Sequence, residues 1–134
     1  MTKLKTIEGI GPVLSGKFES LGIKTINDLL DKCNCRAGRS EISARIEISE
    51  SRMVKMVKRA DLMRVKGIGG EYSELLEAAG VDSVPELAQR NAASLLAKME
   101  AVNEEKRLVR ALPSQTQVGN WIERAKDLPR AVTH

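Results

Sequence analysis

The sequence predicts an all-α protein: two similar helical halves packed together, followed by a C-terminal helical extension. Three observations predict it. Thr25 with Asp28, Ser83 with Glu86 and Ser114 with Gln117 each set a hydroxyl three residues before an acid or amide, the spacing of a capping box or a near variant of it. Behind these caps apolar residues recur at helical intervals, whereas the strict alternation of a strand is hard to find. The stretch "IEGIGPVLSGKFESLGIKTINDLL", residues 7 to 30, returns 58 residues later without a gap as "VKGIGGEYSELLEAAGVDSVPELA". In that register Gly9, Gly11, Leu21, Gly22, Thr25, Ile26 and Leu29 fall on Gly67, Gly69, Ala79, Gly80, Ser83, Val84 and Leu87.

Taken in order, helices are expected near residues 12–21, 25–33, 38–46, 50–61, 70–79, 83–90, 92–102, 104–111 and 115–127. Pro12 suits the first turn of the first helix, and Gly22 falls where that helix must stop. Thr25 opens the second, with Ile26, Leu29 and Leu30 on one face. Ile42 and Ile46 mark the third, and "ISESR" opens the fourth at Ser49, with Val54 and Val57 behind it. The fifth runs to Gly80, the counterpart of Gly22. Ser83 starts the sixth, where Val84, Leu87 and Ala88 share a face. Two more helices precede Pro113, and Ser114 begins the last, in which Val118, Trp121, Ile122 and Ala125 are spaced for one side before Pro129. The segments are a first module (1–35), basic connecting helices (36–61), a second module (62–91) and C-terminal helices (92–134), within one compact domain.

Composition bounds the chemistry. Of 134 residues 42% are hydrophobic but only 2% aromatic, namely Phe18, Tyr72 and Trp121, so the core must be aliphatic. No stretch approaches the roughly 20 apolar residues of a membrane helix. The start "MTKLKTIEGI" also lacks the apolar run of a signal peptide, so a cytoplasmic protein with no membrane partner is expected. Cys33 and Cys35 are too close to staple a fold and too few to hold zinc, and His134, the one histidine, is a poor third ligand. Reduced thiols, no metal and no cofactor are expected. Catalysis is not expected either, because no internal histidine, nucleophile elbow or GxxxxGK[ST] loop is present. Glu71, Glu74, Glu104 and Glu105 read as solvated helix charges, and Trp121 reads as core rather than a base-stacking platform.

The net charge of +4 is unevenly spread: residues 32 to 66 carry ten basic against four acidic side chains, and residues 67 to 82 none against four. An apolar residue, then "GIG", then a helix, at both copies of the repeat, resembles the helix-hairpin-helix motif. In that motif family the backbone N–H groups of a tight glycine turn bind phosphates without reading bases. Ile10 and Ile68, between the glycines, would plug each hairpin into the core. The central "RADLMRVKGIG", then "LLEAAGVDSVPELAQRN" and "VNEEKRLVRALPSQTQVGNWIERAKDLP" extend the likeness over nearly the full length. The chain resembles a bacterial family of unknown function with two tandem helix-hairpin-helix motifs. That family resemblance implies a fold, two such modules packed together, and little chemistry; the motif resemblance implies binding of the DNA backbone independently of sequence, in a protein expected to be non-catalytic.

Residue by residue, Gly9, Ile10 and Gly11 would present N–H groups to a phosphate, with Ser15 and Lys17 reaching adjacent oxygens. Lys3 and Lys5 add charge on the flank and Glu8 opposes it. Loops of DNA-binding relatives can hold a monovalent cation, though no side chain here demands one. The second hairpin, Gly67, Gly69 and Gly70, is followed by Glu71, Glu74 and Glu77, which repel phosphate; it reads as a structural duplicate, a weak site or a protein-contact surface. Arg36, Arg39, Arg52, Lys55 and Arg59 would supply a second, salt-sensitive contact. Residues 36–59 also partly match a helix-turn-helix that would turn Ser51, Arg52, Lys55, Lys58 and Arg59 to DNA. The match is partial because Glu47 stands at the turn position usually held by glycine and Ser43 at the small position of the first helix. The plainer reading is a pair of linker helices. The alternative function is a protein–protein adaptor in which the acidic 70–82 face meets a basic partner.

Overall fold

Each helix start marked by hydroxyl spacing is closed by that hydroxyl. The computed structural model describes residues 3–7 and 9–133, so Glu8 and His134 lie outside the described residues. Thr25 Oγ1 accepts from the Asp28 N–H at 3.2 Å while Asp28 Oδ2 accepts from the Thr25 N–H at 3.2 Å, a complete capping box. Ser114 and Gln117 form the same reciprocal pair, and the Ser83 hydroxyl accepts from the Glu86 N–H. Among the described residues the chain is helical throughout, with no strand beyond an isolated bridge between Lys3 and Thr25.

The chain divides into two compact units, Met1–Asp61 with Ala131–His134, and Leu62–Arg130. The first holds a 3-10 turn at Leu4–Thr6, which periodicity did not anticipate, then α1 (Pro12–Glu19), α2 (Ile26–Cys33), α3 (Arg36–Ile46) and nearly all of α4 (Glu50–Leu62). Its buried set is mainly aliphatic, including Leu4, Ile23 and Leu29, with Phe18 as its aromatic member and Ser15, Arg39, Ser43 and Asp61 as its polar ones. α2 packs on α3 so closely that a Cβ added to Gly38 would lie 2.2 Å from the Lys32 carbonyl oxygen. The second unit holds α5 (Gly70–Ala78), α6 (Val84–Ala88), α7 (Ala92–Lys106) and α8 (Gln115–Asp127). Here α8 packs on α6 and α7, and Leu75, Leu76, Leu87, Leu95, Met99, Val118 and Trp121 share one core.

The two helices expected at 92–102 and 104–111 are a single helix, α7, which ends where Arg107 turns left-handed at φ 50°. Asn103 lies within the helix, and its side chain donates to the Val109 carbonyl and accepts from the Val109 N–H, at 3.1 and 3.0 Å. Residues 107–109 are thereby folded back along the helix rather than continuing it.

The sequence repeat is a repeat of backbone geometry. Ile10 N–H donates to Ile7 O as Ile68 N–H donates to Val65 O, both at 3.1 Å. Gly9 and Gly67 take φ +95° and +102°, and Gly22 and Gly80 take +78° and +93°. Gly11 and Gly69 begin α1 and α5 with no side-chain cap. At the far ends Ile23 N–H returns to Phe18 O, as Val81 N–H returns to Leu76 O. Ile10 and Ile68 are each 5% exposed, turned inward between their glycines.

One cap supplies a stability prediction. Thr25→Ala removes half of the capping box and is expected to cost about 1 kcal/mol, read as a lower denaturation midpoint. The box also carries a pH dependence. The Lys24 N–H, donating to Asp28 Oδ2 at 3.0 Å, with the Thr25 N–H, holds the Asp28 carboxyl below the usual carboxylate range against the opposing pull of desolvation. Its contribution is therefore present at neutral pH and lost as pH falls through that lowered value.

Candidate functional site

A helix leaves its first N–H groups without partners inside the helix. In α1 the Ser15 N–H is the first to return, to Gly11 O at 2.9 Å, and Pro12 has no N–H. The N–H groups of Val13 and Leu14 thus precede the hydrogen-bonded ladder. Gly11, Pro12, Val13 and Leu14 line one wall of an open groove of about 320 Å³. The groove is completed by Lys17 from α1, Glu47 and Ile48 from the turn after α3, and Arg52 from the first turn of α4. Val13 is 77% exposed.

Two cations in this groove are held by backbone carbonyls. Lys17 Nζ donates to Ile46 O at 3.4 Å, placing the ammonium over the C-terminal, negative end of α3. Arg52 Nη2 donates to Gly9 O at 3.2 Å, clamping the guanidinium to the glycine turn itself. A helix N-terminus flanked by a lysine and an arginine is an arrangement suited to an oxyanion. Around Gly9 there is room for one, since a Cβ added there would meet nothing within 4 Å.

The turn between α3 and α4 is formed in spite of its residue. Glu47 adopts the left-handed conformation, φ 59° and ψ 48°, that glycine supplies more cheaply. The Ile48 N–H bonds back to Ser43 O, and Ser49 caps α4, its Oγ accepting from the Arg52 N–H at 3.1 Å. Ser43 is buried, as a small residue at that position requires, with its hydroxyl unsatisfied.

Three sequence-based assignments are corrected. Ile10 cannot offer its N–H to a ligand, because Ile7 O already accepts it. Ser15 is 5% exposed and faces the interior rather than Lys17's side of α1. Arg39 is 6% exposed, with Nη1 donating to Cys33 O at 3.2 Å and Nη2 to Thr133 O at 2.7 Å, so its charge serves the interior of the first unit. Of the remaining cations, Arg52, Lys55 and Arg59 sit at i, i+3 and i+7 on α4; Arg52 and Lys55 are exposed, and Arg59 is half-buried with interactions of its own. Arg36 is exposed in the first turn of α3. Glu47 is the charged groove residue that sequence reasoning set at a turn and did not assign to binding; its only signal was a non-glycine residue there.

The second glycine turn has the same backbone and different surroundings. A Cβ added to Gly67 would lie 2.8 Å from Trp121 Nε1 of α8. Arg124, also on α8, donates to Lys66 O at 2.7 Å, and the Tyr72 hydroxyl donates to Ala111 O. Tyr72 and Trp121 pack with ring centroids 5.2 Å apart. This turn serves as a dock for α8. Beyond it Glu71 is exposed, while Glu74 and Glu77 are half-buried and engaged in polar interactions.

Both cysteines are free thiols, and burial pushes Cys33 up to about 11, far from the thiolate needed for nucleophilic or metal chemistry. Among the described residues no three His, Cys, Asp or Glu side chains gather as a metal site, and no helix is long and apolar enough to cross a membrane. The family whose pattern matches this chain, over residues 8–128, is described as a domain of unknown function (DUF4332). No curated protein and no solved structure matches it.

Proposed function

Starting from the fact that the chain belongs to the DUF4332 family, we propose that its two glycine turns are helix-hairpin-helix units and that the first binds nucleic acid, DNA included, through the phosphate backbone without catalysis. The observation that carries this reading is the contrast between the two copies. The same turn is open at Gly9, beside the uncapped start of α1, Lys17 and Arg52, and filled at Gly67 by Trp121. Duplication explains the fold of both turns but not why only one is left open beside two cations. Contacts made by backbone N–H groups, an ammonium and a guanidinium fix a phosphate and read no base, so affinity is expected to be independent of sequence. Lys55, one turn along α4 from Arg52, extends the positive surface beyond the groove.

The test is fluorescence anisotropy with labelled duplex DNA across a salt series. Each neutralised phosphate lowers the slope of log affinity against log salt by about 0.9, so Lys17, Arg52 and Lys55 together give a slope of about −2 to −3. Affinity unchanged in high salt would overturn the electrostatic account. Absence of binding at low salt would leave the hairpins as architecture and direct attention to a protein partner at the acidic 70–82 face.

A further inference from the structure

The phosphate groove contains one group that opposes its own ligand. Glu47 lines it together with Lys17 and Arg52, and it also lines an adjoining groove of about 170 Å³ with Lys17, Ser20, Arg45 and Ile46. The side chain stands on a left-handed residue where glycine would satisfy the backbone better, so the turn itself does not call for a carboxylate. A negative charge beside a phosphate site lowers affinity for every polyanion. It becomes useful when the wanted ligand brings something for the carboxylate to accept and the unwanted ligand does not.

The groove is polarised accordingly. One side consists of donors: the Val13 and Leu14 N–H groups and the Arg52 guanidinium, at the positive end of α1. The other consists of acceptors: the Glu47 carboxylate at the negative end of α3, where the Ile46 carbonyl already holds Lys17. Pro12, Val13 and Ile48 add apolar surface to the same groove. A complementary ligand carries an anion, an apolar body and a hydrogen-bond donor. The deoxyribose-phosphate backbone has no donor along its length. The ribose backbone has one per nucleotide, the 2′-hydroxyl, next to the phosphate on the same sugar.

We propose that Glu47 is a specificity residue that makes the first hairpin prefer a ribose-phosphate backbone, with its carboxylate accepting from a 2′-hydroxyl while the α1 N-terminus and Arg52 hold the neighbouring phosphate. The inference rests on the phosphate-binding reading and narrows it to RNA. It also gives a role to Lys17, whose ammonium has three donors: among the described residues one goes to Ile46, which leaves donors for Glu47 and the phosphate.

The experiment compares three labelled single strands of one sequence, DNA, RNA and 2′-O-methyl RNA, bound to the wild type and to Glu47→Gln and Glu47→Gly. A single charge-assisted hydrogen bond predicts RNA binding about tenfold tighter than DNA, with the methylated strand behaving like DNA. Both variants should bind DNA more tightly than the wild type does; Glu47→Gly should lose the preference for RNA, and Glu47→Gln, which keeps a neutral acceptor, should weaken it. Equal wild-type affinity for RNA and DNA overturns the inference, as does a preference that survives in both variants, while leaving phosphate binding intact. Failure of all three strands to bind at low salt would overturn the phosphate reading itself.

Discussion

Lys17→Glu is expected to lower affinity for duplex DNA at least tenfold at low salt while leaving the fold in place. Lys17 is exposed, and among the described residues it gives up one long hydrogen bond to Ile46 O, at 3.4 Å, at the negative end of α3, so its stability cost should stay within about 1 kcal/mol. Its effect on a ligand is larger, because reversal both removes an ammonium from the groove and sets a second carboxylate beside Glu47. Arg52→Ala should act in the same direction by releasing the guanidinium from Gly9 O, and each neutral substitution should reduce the salt slope by about 1. If Lys17→Glu binds as the wild type does at every salt concentration, the groove is not the site and α4's outer face must carry any binding.

The parts of this molecule that were legible in the sequence are those set by neighbours a few residues away. Thr25, Ser83 and Ser114 announce helix starts because their partners lie three residues on, within the same turn. The paired glycines were legible because the same backbone conformation recurs in the same register, and Ile10 and Ile68 turn inward as their place between glycines requires. What was not legible depends on distant chain. Arg39 lies in a basic stretch and reads as a surface charge; besides the nearby Cys33 carbonyl, it is held inside by that of Thr133, 94 residues away. The break expected between residues 102 and 104 is absent, and Asn103 instead meets Val109 with both ends of its amide. Lys17 and Arg52 could each be named as cations, but their convergence on one groove needs the Gly9 carbonyl and the end of α3 to be in place. Trp121 was rightly assigned to the core, yet its position over Gly67, which gives the two glycine turns different surroundings, has no local signature.

That position leads to the largest expected effect on stability. Gly9→Ala and Gly67→Ala impose the same backbone penalty, since φ is +95° at one and +102° at the other, a region L-residues rarely enter. Such strain costs about 1–3 kcal/mol. At Gly9 the added methyl meets open space, so strain is the whole cost. At Gly67 it would approach Trp121 Nε1 to 2.8 Å, and the indole has little room to withdraw, because it is buried in the core of the second unit and packed at a tilt against Tyr72. Overpacking a fixed ring adds about 1–3 kcal/mol, so Gly67→Ala should be the more destabilising of the pair by that margin. Trp121 is the chain's one tryptophan, and its fluorescence during denaturation reports the second unit directly. Under the proposed function the effects on binding run the other way. A methyl at Gly9 obstructs approach of a phosphate to the turn and should weaken DNA binding, whereas folded Gly67→Ala should bind as the wild type does. Equal destabilisation by the two substitutions would mean that Trp121 yields, and the second turn would then be no more closed to ligands than the first.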